Sequence, residues 1–415
     1  MKLSLPFRLL WLGQSLANWG DSLYILAVVT LIYQATGSVT LSALVPVFKL
    51  FPQLVSGLLA PLLLERFSLR SLLIISQAGQ TVLLGSLAVL TVLIPSSSVV
   101  HGVLIFIGSI AFFDGWSTPA RNALVPRLVE KKLLVKANSL LSTTDQTLML
   151  LGWTCGGMLV AAWGPQPILW LTAAFFAVST LSLLFIREPA QHEGNMEKNV
   201  RNWERIKEGW ITLFSHPILK RVTLMDVLEH IAGTVWTGAI ILAFVSRVLH
   251  KDETWWGFIN GSYFAGTILG GLLIMALSKW IEQRLITALF FGSLCMAILT
   301  FAFAGTNIPI IALLLCLIMG PPYQAREIAQ RTLFQTQTPP EQMPKVYAAH
   351  STMSYAVFGL GVLGMGFLAD HYPVQNVYII AAILSGCSAL IALALKRKHP
   401  SSEPEPVHYK KKRAS

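Results

Sequence analysis

Twelve apolar stretches, each long enough to cross a bilayer, follow one another through nearly the whole chain. They lie near 7–33, 40–64, 70–94, 101–120, 138–163, 166–186, 220–247, 255–278, 285–305, 308–332, 346–369 and 375–396. A hydrocarbon core about 30 Å thick takes about 20 mostly apolar residues per helix. Only helices or closed barrels satisfy their own backbone groups in lipid, and stretches of this length read as helices. The expected fold is therefore an all-α integral membrane protein of twelve transmembrane helices. The 54% hydrophobic and 12% charged composition agrees, as does the mean hydropathy of +0.62. The segment after Met1 is too long for a cleavable signal peptide and is expected to run on as the first span. Cys155, Cys295, Cys316 and Cys387 fall inside apolar stretches, which points to buried thiols, with no disulfide and no metal site.

The formal charge of +11 would suit a nucleic-acid partner if the basic residues were clustered. They instead occupy alternate connections. Arg66 and Arg70 follow the second span, and Arg121, Arg127, Lys131, Lys132 and Lys136 follow the fourth. The longest polar stretch carries Arg187, Lys198, Arg201, Arg205, Lys207, Lys220 and Arg221. Lys279 and Arg284 follow the eighth span, and Arg331 and Lys345 follow the tenth. The opposite connections carry no Lys or Arg apart from Arg247 and Lys251. The positive-inside rule then places both termini in the cytoplasm, with no nucleic acid involved. The tail at 398–415, with Lys410 to Arg413, could touch anionic lipid, and the expectation is a solvated, disordered terminus.

The polar stretch 187–219 divides the chain into two sets of six spans, 1–186 and 220–397. Within it Trp203, Ile206, Trp210 and Leu213 recur at helical spacing, as in an amphipathic linker helix on the cytoplasmic surface. The halves resemble each other. Gly57-Leu58-Leu59 is followed by Glu65-Arg66 and Arg70, and Gly271-Leu272-Leu273 by Lys279-Trp280 and Arg284, at the same interval. The same offset brings Asp114 close to Glu327 and Pro126 to Pro339. Parallel six-helix repeats of this kind mark one class of transporter.

The run FFDGWSTPARNALVPRL from Phe112 to Leu128, with Ala137-Asn138-Ser139-Leu140 after it, resembles the Major Facilitator Superfamily, in the branch of macrolide-efflux proteins and the enterobactin exporter. So do QRTLFQTQTPPEQM from Gln330 to Met343 and the linker from Trp203 to Arg221. The resemblance covers nearly the whole chain. It implies two pseudo-symmetric six-helix bundles that work as a monomer. Three places depart from the family pattern. The loop after the second span keeps the family's charges in thinner form, and the family's Gly-Arg before the eleventh span is Pro344-Lys345 here. The antiporter signature of the fifth span is reduced to Gly152, Gly156 and Gly157 without its proline.

An ionisable group in lipid needs a partner, a wet cavity or a task. Gln14, Asn18 and Asp21 share one face of the first span and should face a central cavity. Asp226, Glu229 and His230 share a face of the seventh, with Gly233 and Thr237 beyond. Ionised carboxylates one turn apart repel, which would suit a proton carrier, although Asp226 could instead pair with Lys220 or Arg221. Asp145 shares a face of the fifth span with Asn138, Ser142 and Met149, and could bind a proton or fasten that helix to the basic connection before it. Lys49 lies too far from either end of the second span to snorkel, so it needs an acid, Asp21 by first choice. The resemblance makes Glu65, Arg66, Arg70 and Asp114, with Lys279, Arg284 and Glu327, two conformational latches at the cytoplasmic ends. Arg326 either neutralises Glu327 or lines the pore. The resemblance also makes Gly152, Gly156, Gly157, Gly361 and Gly364 sliding contacts between the halves.

No phosphate-binding loop, Cys/His metal spacing or esterase-type nucleophile occurs, so neither ATP-driven transport nor hydrolysis has residues to run it. The expectation is no enzyme and no cofactor. It is a proton-driven exporter of small amphipathic molecules (drug, macrolide or siderophore-like) in the cell membrane. A proton-independent facilitator and a non-transporting membrane sensor are the alternatives.

Overall fold

A computed structural model describes residues 3–36, 39–64, 66–93, 99–186, 202–236 and 238–398. Glu65, Thr237, the first part of the linker at 187–201 and the tail beyond 398 lie outside the described residues, and so do the side chains of Trp203 and Ile206.

The described residues are almost entirely helical. The first six spans are α1 (Leu5–Thr36), α2 (Val39–Leu64), α3 (Leu69–Leu93), α4 (Val99–Leu128), α5 (Leu134–Trp163) and α6 (Pro165–Leu184). The linker forms α7 (Asn202–Ser215). The seventh span is α8 (Pro217–Gly233), a 3-10 turn at Thr234–Trp236 and α9 (Gly238–Arg247). The eighth is α10 (Glu253–Ala276), followed by the short α11 (Ser278–Glu282). The last four are α12 (Leu285–Gly305), α13 (Pro309–Gln337), α14 (Met343–His371) and α15 (Val374–Lys398). Proline stands in the first turn of α6, α8, α13 and α14, where its missing N–H costs no helical bond. Gly164, at φ +80°, makes the one-residue turn between α5 and α6, a conformation that a Cβ would strain.

The packing of the first six spans is repeated by the last six. In the first set α1 packs on α6, α2 on α4, and α3 on both α4 and α6. In the second, α8 packs on α15, α10 on α13, and α12 on both α13 and α15. The two most extensive contacts between the sets are related in the same symmetric way, α5 on α10 and α2 on α14. Each holds a glycine against a threonine. A Cβ on Gly57 of α2 would lie 2.7 Å from Thr352 Oγ1 of α14, and one on Gly271 of α10 only 2.0 Å from Thr143 Oγ1 of α5. The sequence repeat built on Gly57 and Gly271 thus marks the places where the two sets touch.

The glycines expected to slide between halves do something else. Gly152 and Gly156 of α5 pack on Ser22, Leu23 and Leu26 of α1, inside the first set. Gly361 packs on Thr234 and Ile231, inside the second, and nothing stands within 4 Å of a Cβ on Gly157 or Gly364. The helix-to-helix register of α5 and α14 explains this correction. Their half-to-half contacts fall at Thr143 and Thr352, nearer the start of each helix than those glycines are. The thiols also differ from expectation, since only Cys316 is fully buried and Cys387 is exposed.

The ends of the helices on the Lys/Arg-rich side, called the basic face here, are pinned together. Asn138 of α5 donates to Gln335 Oε1 (2.7 Å) and Thr332 Oγ1 (3.1 Å) of α13. Ser142 donates to Gln324 Oε1 at 2.8 Å, and Gln335 reaches the Asn122 carbonyl of α4 at 3.4 Å. The linker joins in, because Glu208 of α7 pairs with Lys345 of α14 at 2.6 Å and Thr212 bonds Gln342 at 3.0 Å. In α7, Leu213 is buried and Trp210 stacks on Phe214. That helix packs on α2, α8 and α14.

Candidate functional site

Two cavities lie among the spans, one of about 320 Å³ within the first set and one of about 430 Å³ lined mainly by the second set, and Thr118 of α4 lines both. Such volumes fall in the range of small-molecule sites.

The first cavity is polar. Gln14, Asn18 and Asp21 of α1, Gln77 and Gln80 of α3, Asp114 and Arg121 of α4 and Asp145 of α5 line it. Lys49 Nζ of α2 stands 2.9 Å from both carboxylate oxygens of Asp21. It also lies 5.3 Å from the centroid of the Tyr24 ring. An isolated charge at this depth would cost several kcal/mol, and the pair neutralises both groups. Asp145 accepts from Asn18 Nδ2 at 2.7 Å and stands 3.5 Å from Arg121, so α1, α4 and α5 are tied at one carboxylate. Gln14 is 4% exposed and its Nε2 has no hydrogen-bond partner among the described residues.

Asp114 does not take part in a latch. It accepts from Gln53 Nε2 of α2 at 2.7 Å and lines the cavity. The reason is helix length. The fourth span was expected to end at 120, but α4 continues to Leu128 with Pro119 and Pro126 inside it. Asp114 is therefore mid-helix. Glu327 is displaced in the same way, because α13 runs on to Gln337. Its partner is Arg331, one turn along at 3.5 Å, and it lines the second cavity. The basic residues assigned to the latches are elsewhere. Arg70 caps α6 by donating to the carbonyls of Leu183 (3.1 Å) and Leu184 (2.6 Å). The Arg284 guanidinium lies 4.9 Å over the Trp280 ring, and Arg66 and Lys279 are exposed. Instead, the polar side chains of α5 and α13 described above close the basic face.

The second cavity is aromatic on one side and charged on the other. Trp236 and Tyr263 stack with centroids 6.1 Å apart, and Tyr263 meets Tyr323 edge-on at 5.9 Å. The Arg326 guanidinium lies 5.3 Å from the Tyr323 centroid and forms an ion pair with Glu229. Ser385 of α15 donates to the same carboxylate at 3.0 Å. Asp226 is clamped separately. Gln330 Nε2 donates to it at 2.5 Å, Ser354 Oγ stands 3.4 Å away, and His230 Nδ1 lies at 3.2 Å. His350 Nε2 lies 2.6 Å from its other oxygen, off the line of an aligned hydrogen bond. Lys220 and Arg221 are not its partners, since Asp226 sits more than two turns inside α8. Nor do Asp226 and Glu229 share a proton across one turn. One turns toward α14 and the other toward α15, and each has its own basic partner.

Three contributors were not legible beforehand. His350 is an ordinary polar residue at the start of an apolar helix. The sequence allows Arg326 two roles, and the ion pair with Glu229 is a third. The aromatic shelf is spread over three helices with no common spacing. No group of three or more His, Cys, Asp or Glu able to hold a metal occurs among the described residues.

The family follows from fold and comparison together. A model of the Major Facilitator Superfamily matches residues 10–325, and the chain belongs to that family. It is 36% identical to the uncharacterized MFS-type transporter YfmI of Bacillus subtilis (strain 168), over 91% of this chain and 93% of that one. It is 23% identical to the multidrug efflux pump Tap of Mycolicibacterium fortuitum, over 96% and 98%. The crystal structure of a bacterial homologue of the iron transporter ferroportin in an outward-facing state superposes with a TM-score of 0.78. That match covers 94% of this chain and 99% of that chain at 15% identity, a likeness of fold. The protein is a multi-pass membrane transporter with the twelve-span fold of that family.

Proposed function

We propose that the chain is a monomeric, proton-coupled exporter of small amphipathic organic molecules in the cell membrane, with both termini cytoplasmic. The observation that carries this reading is the pair of charged cavities, both lined by Thr118, in two six-helix sets whose basic face is pinned shut. With that face cytoplasmic, the arrangement is the outward-facing half of an alternating-access cycle. Breaking the Asn138–Gln335 and Ser142–Gln324 bonds would open the other side. A proton must favour one of these states over the other to drive the cycle. The efflux relative at 23% identity lends weight to export. No cofactor enters, and the partners are the bilayer and the substrate.

The test is transport in proteoliposomes under an imposed pH gradient. Substrate movement should stop when an ionophore collapses the gradient. Movement that continues unchanged would replace antiport with facilitated diffusion.

A further inference from the structure

Three carboxylates line the first cavity, and their partners differ. Asp21 has Lys49 at 2.9 Å, and Asp145 has Arg121 at 3.5 Å. Asp114 has a neutral amide, Gln53, on one oxygen and no cation within ion-pair distance among the described residues. The neighbouring cations are committed elsewhere, Lys49 with both Asp21 oxygens and Arg121 with Asp145. Asp114 is partly exposed, and the aromatic residue lining the same cavity is Phe176 of α6. A second feature of the same cavity also calls for a ligand. Gln14 is buried to 4% exposure there with an amide N–H group unpartnered. A carboxylate facing a partly dry cavity without a counter-charge attracts a cation, and a free amide donor attracts an acceptor.

We propose that Asp114 is the substrate-selecting residue. It takes the charged head of an organic cation, a protonated amine or quaternary ammonium whose body carries a hydrogen-bond acceptor for Gln14. The proposal rests on the cavities being the substrate path. It also makes proton and cation competitors for one carboxylate. The charged and titratable groups around Asp114 are Asp21 and Tyr24 of α1, Lys49 of α2, Arg121 of its own helix, Asp145 of α5 and Tyr355 of α14. From α3 the cavity receives the uncharged Gln77 and Gln80. Of the three carboxylates in this set, Asp114 alone is free to exchange a proton for a ligand without breaking an ion pair.

Tetraphenylphosphonium and tetraphenylborate have the same shape and opposite charge, and neither titrates. Binding of each to the purified full-length protein in detergent, by equilibrium dialysis, isolates the sign that the cavity reads. The wild type should bind the phosphonium at least tenfold more tightly than the borate, a difference of about 1.4 kcal/mol. Its affinity should fall as pH is lowered. Asp114→Asn should lose at least tenfold in affinity together with the pH dependence. Asp114→Glu, which keeps the charge, should stay within about threefold and shows that the position tolerates change. The proposal is overturned if the wild type binds neither ion or prefers the borate. It also falls if Asp114→Asn binds like the wild type, or if Asp114→Glu loses as much as Asp114→Asn. The wider reading fails separately. Phosphonium transport that needs Asp114 but ignores a collapsed gradient would end antiport and leave this assignment standing. Gradient-driven transport that persists in Asp114→Asn would do the reverse.

Discussion

Each half of the molecule sets three carboxylates around its cavity, and the halves treat them differently. In the first half the side chains of Asp21 and Asp145 are 33% and 27% exposed, beside single basic partners. In the second half Asp226 and Glu229 are 5% and 4% exposed. Asp226 is held by groups from α8, α13 and α14, and Glu229 by groups from α13 and α15. The first half presents its acids to the cavity, while the second locks its two central acids into the helix packing. An acidic residue in a membrane span therefore does not announce a proton carrier. What decides the role is how many neighbouring helices supply it with donors.

That contrast is most sharply tested at Glu229. Its replacement by Gln strands the Arg326 guanidinium in a buried site, a loss of about 3–5 kcal/mol for a broken buried ion pair. The expected result is a steep drop in thermal midpoint and yield in detergent. Replacing both partners, as in Glu229→Leu with Arg326→Met, should restore much of the loss, because the pair's main effect is to satisfy itself. Asp21→Asn should cost less stability, since a lysine left without its acid can shed its proton as a guanidinium cannot, and Asp21 opens on the cavity with a third of its side chain exposed. Its loss should appear in transport. Equal falls in midpoint for Glu229→Gln and Asp21→Asn would erase the distinction between the halves.

The interface between the halves gives the next effect. Gly271→Ala places a Cβ 2.0 Å from Thr143 Oγ1 and 3.1 Å from its Cβ, so rotating the threonine relieves only part of the clash. Overpacking of this kind costs about 1–3 kcal/mol. Because it falls between the sets, we expect it to slow transport more than it lowers the midpoint. Gly57→Ala should do the same more mildly, with Thr352 Oγ1 at 2.7 Å and the threonine Cβ at 3.8 Å. Gly157→Ala and Gly364→Ala, with open space around them, should leave transport rates within twofold of wild type. Slow transport in either of these last two would restore the sliding role expected from the sequence.

The fold was legible because it rests on hydrophobic length, which is a local property. Twelve spans and the repeat around Gly57 and Gly271 could be read along the chain. Errors began where a span was amphipathic at its end. The fourth and tenth spans run on past the residues at which their apolar character fades, because polar side chains at the basic face pack against the other half instead of meeting water. That shift moved Asp114 and Glu327 from supposed latches into cavities. Pairing was legible only where need was extreme. Lys49 could reach neither end of its helix, and Asp21 was the acid left at a similar depth. Arg326, by contrast, had its neighbour Glu327 or the pore in sequence terms, and the packing of α8 on α13 decides for Glu229. Side-chain direction across helices carries no sequence period, so neither the His350 contact nor the gathering of Trp236, Tyr263 and Tyr323 on one cavity wall could be read along the chain.

The smallest expected effect concerns the linker, where charge and shape can be separated. The Glu208 side chain is 43% exposed in its pair with Lys345, and exposed pairs contribute about 0–1 kcal/mol. Lys345→Met should therefore shift the thermal midpoint slightly, and less still at high salt, where such a pair is already screened. The backbone contact beside it is much closer, since a Cβ on Gly209 would lie 2.3 Å from the Lys345 carbonyl oxygen. Backbone cannot rotate away as a side chain does. Gly209→Ala should thus disturb the seating of α7 on α14 more than removal of the charge pair, and faster proteolysis of the linker would report it. If Lys345→Met loosened the linker more than Gly209→Ala, the basic face would be held shut by electrostatics. Closure in the second half would then depend on ionic strength, unlike the hydrogen-bonded contacts of Asn138 and Ser142.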